Sequence, residues 1–334
     1  MGKGICVAGN LIVDITYPVE SWPREGELTT ITDGITRSTG GLVCNCIVDL
    51  AKLDGDLKLT ALGVIGDDSE GNFILSELGR EKNIDLSLLK KKGTTSFTAV
   101  MSNNGSKART FFQYRGANAL FDESCIDWDR IDADIIHAGY ILLLDALDMP
   151  DGEYGTRMAR LLATAKEKGL KTSIDVVSES GDRFRSLVPP ALKYTDYCVI
   201  NEIEASQITG TLLREEDGTL HPENMEEALL KIKQLGVSAW AVIHCPEGGY
   251  GLDENDKFVS LKSLSLPEGY IKGTVGAGDA FCAGVLYAAE KDRPLIDGIK
   301  LGTCAAAASL SEKGATEGMG SVDRVLALYE RYGK

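Results

Sequence analysis

The sequence predicts an α/β fold with a mostly parallel sheet and a small, separate β-rich element. Short β-branched runs alternate with amphipathic helical patterns through most of the chain, the arrangement of a parallel sheet with helices on both faces. Two β-rich segments break that alternation with no helix inside them. At 334 residues the chain is also long enough to enclose a substantial core, as one large α/β unit or two domains.

Taken in order, ICVAG, TALGVIG, DIIHAGY, KTSIDVV, DYCVI and AWAVIHC read as strands. The helical patterns between them are GLVCNCIVDLAKL, EGNFILSELGREK, YGTRMARLLATAKEKG and MEEALLKIKQLG. The β-rich segments are residues 26–38 and 95–115, the second with the hairpin signal Asn104-Gly105. Together they predict a small antiparallel sheet. After YGLDENDKFVSL, read as a further hairpin, the chain turns helical over 278–291, 295–312 and 321–332.

Composition narrows the function. A net charge of −15, from 35 Lys+Arg against 50 Asp+Glu, argues against nucleic acid or an anionic membrane as partner and favours a small molecule. An anionic substrate would then need a local positive feature such as a metal ion, a helix end or a Lys/Arg cluster. The eight cysteines are scattered through apolar runs without a C-x-x-C, as expected of buried free thiols in a reducing compartment. His137, His221 and His244 show no metal-ligand spacing, so no structural zinc is expected. The chain enters a strand almost at once and carries no membrane-length apolar run, which makes cytoplasmic the expected location.

The motifs lie at strand and helix ends. GTVGAGDAF (273–281) precedes an apolar helical run, and small residues there suit a backbone cradle for an anion. The cradle ends in Asp279, an acid that the helix dipole alone would also favour. Neither G-x-x-x-x-G-K-[ST] nor a G-x-G-x-x-G after the first strand is present. Asp14 follows the first strand. Asn201 and Glu204 share one face of a helical turn, a pairing that suits water-mediated Mg²⁺ or a helix cap. Gly40 and Gly41 open another helix that carries Asn45.

GGxxxN at 40–45, NxxE at 201–204 and GTVGAGD at 273–279 together resemble the ribokinase-like, phosphofructokinase-B type carbohydrate and nucleoside kinases. Asp14, GVIGDDSEG, RGANAL and Gly314 extend that resemblance over nearly the whole chain. It implies a ribokinase-like three-layer sandwich with a β-sheet lid: residues 1–14, 39–93 and 118–334 as the catalytic core, 15–38 and 94–117 as the lid. It further implies ATP and Mg²⁺ as cofactors. Asp279 would be the general base, and the amides of Gly276, Ala277 and Gly278 the anion hole. Asp14, Gly40, Gly41 and Asn45 would bind the acceptor. Asn201 and Glu204 would position the metal and the nucleotide, with Gly248, Thr274 and Gly314 as further nucleotide contacts. In many family members the lid also builds a dimer interface, which would make this chain a homodimer through the lid.

Two departures stand out. Gly273 replaces the first Asp of the D-T-x-G-A-G-D pattern, which leaves monovalent-cation activation open, and Pro246 takes the place of a usual glycine at a strand end. The expected function is phosphorylation of an alcohol on a sugar or sugar-like metabolite by ATP. A nucleoside kinase and a non-catalytic sugar- or nucleotide-binding protein are the alternatives.

Overall fold

The computed structural model describes residues 3–103, 105, 106, 108–178 and 181–333. Its main sheet contains β1 (Ile5–Gly9), and the chain then leaves it for β2 (Ile12–Val19) and β3 (Thr36–Gly40) of a smaller sheet. Next come α1 (Gly41–Leu53), β4 (Leu59–Ile65) and α2 (Ser69–Leu78). The second excursion is β5 (Phe97–Asn103) and β6 (Arg109–Tyr114). The core resumes with β7 (Ile135–Ile141), α3 (Arg157–Glu167), β8 (Lys171–Val176), α4 (Phe184–Leu192), β9 (Tyr197–Asn201), α5 (Glu202–Thr209), α6 (Met225–Gln234) and β10 (Trp240–Cys245). The hairpin β11 (Gly248–Leu252) and β12 (Phe258–Lys262) leads to α7 (Ala277–Glu290), α8 (Leu295–Ser309) and α9 (Val322–Tyr332).

The main sheet runs β12-β11-β10-β9-β8-β7-β1-β4, with two-residue strands flanking β4. It is parallel from β4 to β10 and antiparallel only at the β10–β12 hairpins. Strand alternation feeds two separate cores. In β1, Ile5 and Val7 pack with α1, α2, α7 and α8, whereas Cys6 and Ala8 pack with α3–α6 on the other face. These are the three layers that the sequence predicts. Ligands of open α/β sheets sit outside the carboxyl ends of the parallel strands, so β1, β7, β8 and β9 all deliver their last residues to one rim.

The small sheet is ordered β3-β2-β5-β6. Its outer pairs are antiparallel as expected, but β2 and β5, which join the two excursions, run parallel. It also begins earlier than the sequence suggests. β2 starts at Ile12, so Asp14 lies inside a strand of this sheet and not in a loop after β1. Most of 26–35 is irregular, touching the sheet through the Ile31–Val19 bridge. Asn104 of the expected turn lies outside the described residues. Helix α4 escaped the sequence reading because Pro189 and Pro190 sit inside it. All eight cysteines are free, and only Cys245 is partly exposed.

Candidate active site

GTVGAGD forms the entry to α7. Gly276 adopts φ 77°, and a Cβ there would lie 2.5 Å from Ala315 Cβ, so both backbone and space require glycine. No side chain caps the first turn of α7. Its unpaired amides therefore remain available to an anion. At Gly273 a Cβ would meet the Lys313 carbonyl oxygen at 2.7 Å, so the aspartate of the usual pattern has no room in this backbone.

Asp279 is buried in the first turn of α7. The Tyr140 hydroxyl donates to its Oδ1 at 2.6 Å and the Asn45 amide to its Oδ2 at 2.9 Å. Its side chain thus points across the helix entry to residues on β7 and α1, not back to the helix amides as a cap would. Burial raises its pKa, and the bonds from Tyr140 and Asn45 oppose that rise. Tyr140 is held firmly protonated by burial and by the Asp279 charge. Asn45 Oδ1 is buried without a partner among the described residues.

Asn201 and Glu204 form a capping box at the start of α5. Asn201 Oδ1 accepts from the Ile203 and Glu204 amides, and Glu204 Oε2 accepts from the Asn201 amide at 3.0 Å. The cap is not solvent-facing, since Glu204 is buried and its pKa is pushed up to about 7 by that burial. Ser178 donates to its other oxygen at 2.9 Å. Asp175, at the end of β8, is held well above the usual carboxylate range by burial and then by the charges of Glu204 and Asp279. None of these three acids forms an ion pair among the described residues. Sequence reasoning missed Tyr140, Asp175 and Ser178, although the first two end strands it had identified and so fell under the strand-end rule. The fold also gathers His137, Asp175 and Cys282 within 4.8 Å from three different elements, where no spacing could reveal it. Both His137 ring nitrogens have partners there, Ser173 Oγ and Cys282 Sγ.

Two cavities flank the helix entry. The larger, about 670 Å³, is lined by Asn201, Gly248, Thr274, Ala277, Gly278 and the small residues Ala306 and Ala307 of α8. Pro246, in the turn between β10 and β11, forms part of its wall. The smaller, about 110 Å³, is lined by Asp14, Asn45, Arg109, Phe111, Val275 and Lys313, among others. Gly314 belongs to this smaller cavity and not to the larger one. Gly40 lies against Asp14, where a Cβ would come within 2.4 Å of Oδ2, and Gly41 opens α1 at φ 83°.

Residues 3–321 match the model of the pfkB family carbohydrate kinases. The chain belongs to this family. Among its relatives, it is 27% identical over 277 residues to the 5-dehydro-2-deoxygluconokinase of Mesomycoplasma hyopneumoniae strain 232, covering 80% of this chain and 77% of that one. The ribokinase of Schizosaccharomyces pombe is 23% identical, with 95% of each chain covered. Among solved structures, Arabidopsis thaliana ribokinase complexed with ribose and ATP superposes with a TM-score of 0.79 at 21% identity, covering 98% of this chain and 99% of that one. The Methanocaldococcus jannaschii nucleoside kinase gives 0.71 at 18%, with 99% of each chain covered. Likeness at this identity establishes the ribokinase fold. Family membership establishes the enzyme class, carbohydrate kinase. Among the described residues, no helix is long and apolar enough to cross a membrane.

Proposed function

We propose that this protein transfers the γ-phosphoryl group of ATP to a hydroxyl of a sugar or sugar-like metabolite. The observation that carries the reading is the partition between the cavities. Thr274, Ala277 and Gly278 face the larger cavity and Val275 the smaller, so one uncapped helix entry borders both, with a buried carboxylate behind it. Phosphoryl transfer asks mainly for positioning and charge stabilisation, and this arrangement supplies both.

The larger cavity is apolar enough to take the nucleotide base, and the amides of Gly276, Ala277 and Gly278 would receive the transferring phosphoryl oxygens. Asp14 and Asn45 would bind acceptor hydroxyls. Asp279 would take the proton of the attacking hydroxyl while Tyr140 and Asn45 hold its oxygens in place. The volume of about 110 Å³ suits a compact acceptor better than a nucleoside, since drug-sized ligands occupy about 300–1,000 Å³.

The residues present fit a divalent cation. Asp175 and Glu204 are buried carboxylates, both with pKa raised first by burial and that of Asp175 raised further by the Glu204 charge, and no cationic side chain is paired to them among the described residues. Asn201 has its amide committed to the cap and to Ser178, so Glu204 and Asp175, acting through water, would be the principal holders of Mg²⁺. Such an ion supplies neutralisation of phosphate charge beside Asp279.

The small sheet would act as the lid. It contributes Asp14, Val100, Arg109 and Phe111 to the smaller cavity, and closure would exclude water from the reacting centre. Its opposite face exposes Phe112 and Tyr114, and the first excursion exposes Leu28 and Ile35, which suits a homodimer formed through the lid. A coupled ADP-release assay over a panel of sugars and nucleosides tests the activity. Turnover of nucleosides alone, or ATP binding with no acceptor-dependent ADP release, would refute it. Hydrogen exchange with and without acceptor tests the lid, and light scattering tests the dimer.

A further inference from the structure

We propose that the acceptor carries an anionic group, a carboxylate or a phosphate ester, and that Arg109 and Lys313 hold it; this rests on the kinase reading above. Strand pairing fixes the first of these residues. Ser102 pairs with Arg109 and Val100 with Phe111, and Val100, Arg109 and Phe111 all line the smaller cavity together with Asp14 of β2 and Ser38 of β3. With a side-chain period of two, Thr110 and Phe112 fall on the outer face. Lys313 approaches from the core side, in the loop that also carries Gly314 and Ala315.

Charge makes the case. The chain has 50 acidic against 35 basic residues, so two cations meeting in one small cavity reverse its prevailing charge and would be expected to draw acids. Yet neither Arg109 nor Lys313 has an ion pair or a side-chain hydrogen bond among the described residues, and both line one small cavity. The only acid in that lining is Asp14, whose pKa burial raises while the Thr98 hydroxyl donates to it. A neutral polyol would satisfy Asp14 and Asn45 and leave both cations unmatched. An acceptor with an acidic group uses all four. The guanidinium fork matches two coplanar carboxylate or phosphate oxygens, and the ammonium adds a point charge. Phe111 and Val100 offer an apolar surface to the carbon skeleton between the anionic end and the reacting hydroxyl.

The test is ADP release across three acceptor arms matched in chain length: neutral aldoses and ketoses, their sugar acids, and their phosphate esters. One anionic arm should exceed the neutral arm by about 10²-fold in kcat/KM, and which arm does so separates carboxylate from phosphate. Arg109→Met should collapse that ratio by about 10–100-fold, Arg109→Lys should retain part of it, and Arg109→Glu should invert it. Arg109 is exposed, so all three variants should fold, and their melting curves check this. A neutral arm that equals or exceeds both anionic arms overturns the inference while leaving the kinase reading standing. So does an anion-to-neutral ratio that Arg109→Met does not move. Absence of ATP binding by calorimetry, with no ADP release in any arm, would instead refute the kinase reading and this inference with it.

Discussion

Replacing Asp279 by Asn removes one proton acceptor and almost nothing else. The carboxylate receives one bond from Tyr140 at 2.6 Å and one from Asn45 at 2.9 Å. In the variant, one of these two donors would face the new amide nitrogen. Both can adapt. The Tyr140 hydroxyl can turn to accept, and Asn45 can flip to present Oδ1, which is buried without a partner. The variant also removes a buried charge that repels Asp175. Its melting temperature should therefore equal or exceed that of the parent, and ATP should bind as well or better. Turnover should fall by about 10²–10⁴, the usual worth of a positioned general base and roughly 3–5 kcal/mol of barrier. The assay is coupled ADP release with the best acceptor, alongside calorimetry for both substrates. Near-parental turnover in the folded variant would refute the assignment. It would also show that an anion cradle can end in an acid for some reason other than proton removal, since neither oxygen of Asp279 is spent on the helix amides.

Tyr140→Phe should lower turnover by about tenfold and move the acidic limb of the pH–rate profile upward, because the lost donor stabilised the charged carboxylate; a profile that shifts downward would contradict this role. Gly276→Ala should cost about 1–2 kcal/mol for the left-handed backbone alone, with additional overlap against Ala315, and so reduce both melting temperature and kcat. Glu204 has a folded pKa near 7 against 4.5, so its contribution to apo-protein stability is fully present below about pH 4.5 and lost as pH rises through 7. Glu204→Gln, which keeps the capping box, should flatten that part of the melting-temperature profile. Gly273→Asp should destabilise the protein without creating K⁺ activation, because the Lys313 carbonyl occupies the space; a K⁺-stimulated, stable variant would count against that account.

How far the site could be read from the sequence depended on whether its parts are local. The helix entry at 273–279, the capping box at 201–204 and the glycines at 40–41 are each a short contiguous stretch, and each appears at the helix start where the sequence puts it. The central strands were equally legible, because a strand buried on both faces is a continuous apolar run. What stayed hidden is what the fold brings together from afar. The Asn45–Asp279 bond spans 234 positions and the Tyr140–Asp279 bond 139. The gathering of Asp175, Glu204 and Asp279 follows from three separate element ends meeting at one rim. Strand β2 was hidden for another reason. Only Asn10 and Leu11 separate it from β1, too short a link to mark a change of sheet in the sequence, so Asp14 read as a loop acid. That tight exchange between sheets places a cavity-lining carboxylate on the small sheet while anchoring it next to β1. Any movement of the small sheet would therefore carry Asp14 with it relative to Asp279, which is fixed on α7. If Asp14 binds the acceptor as proposed, acceptor binding and assembly of the reacting centre would then be one event, an advantage that an acid on a strand of the small sheet has over one on the rigid core.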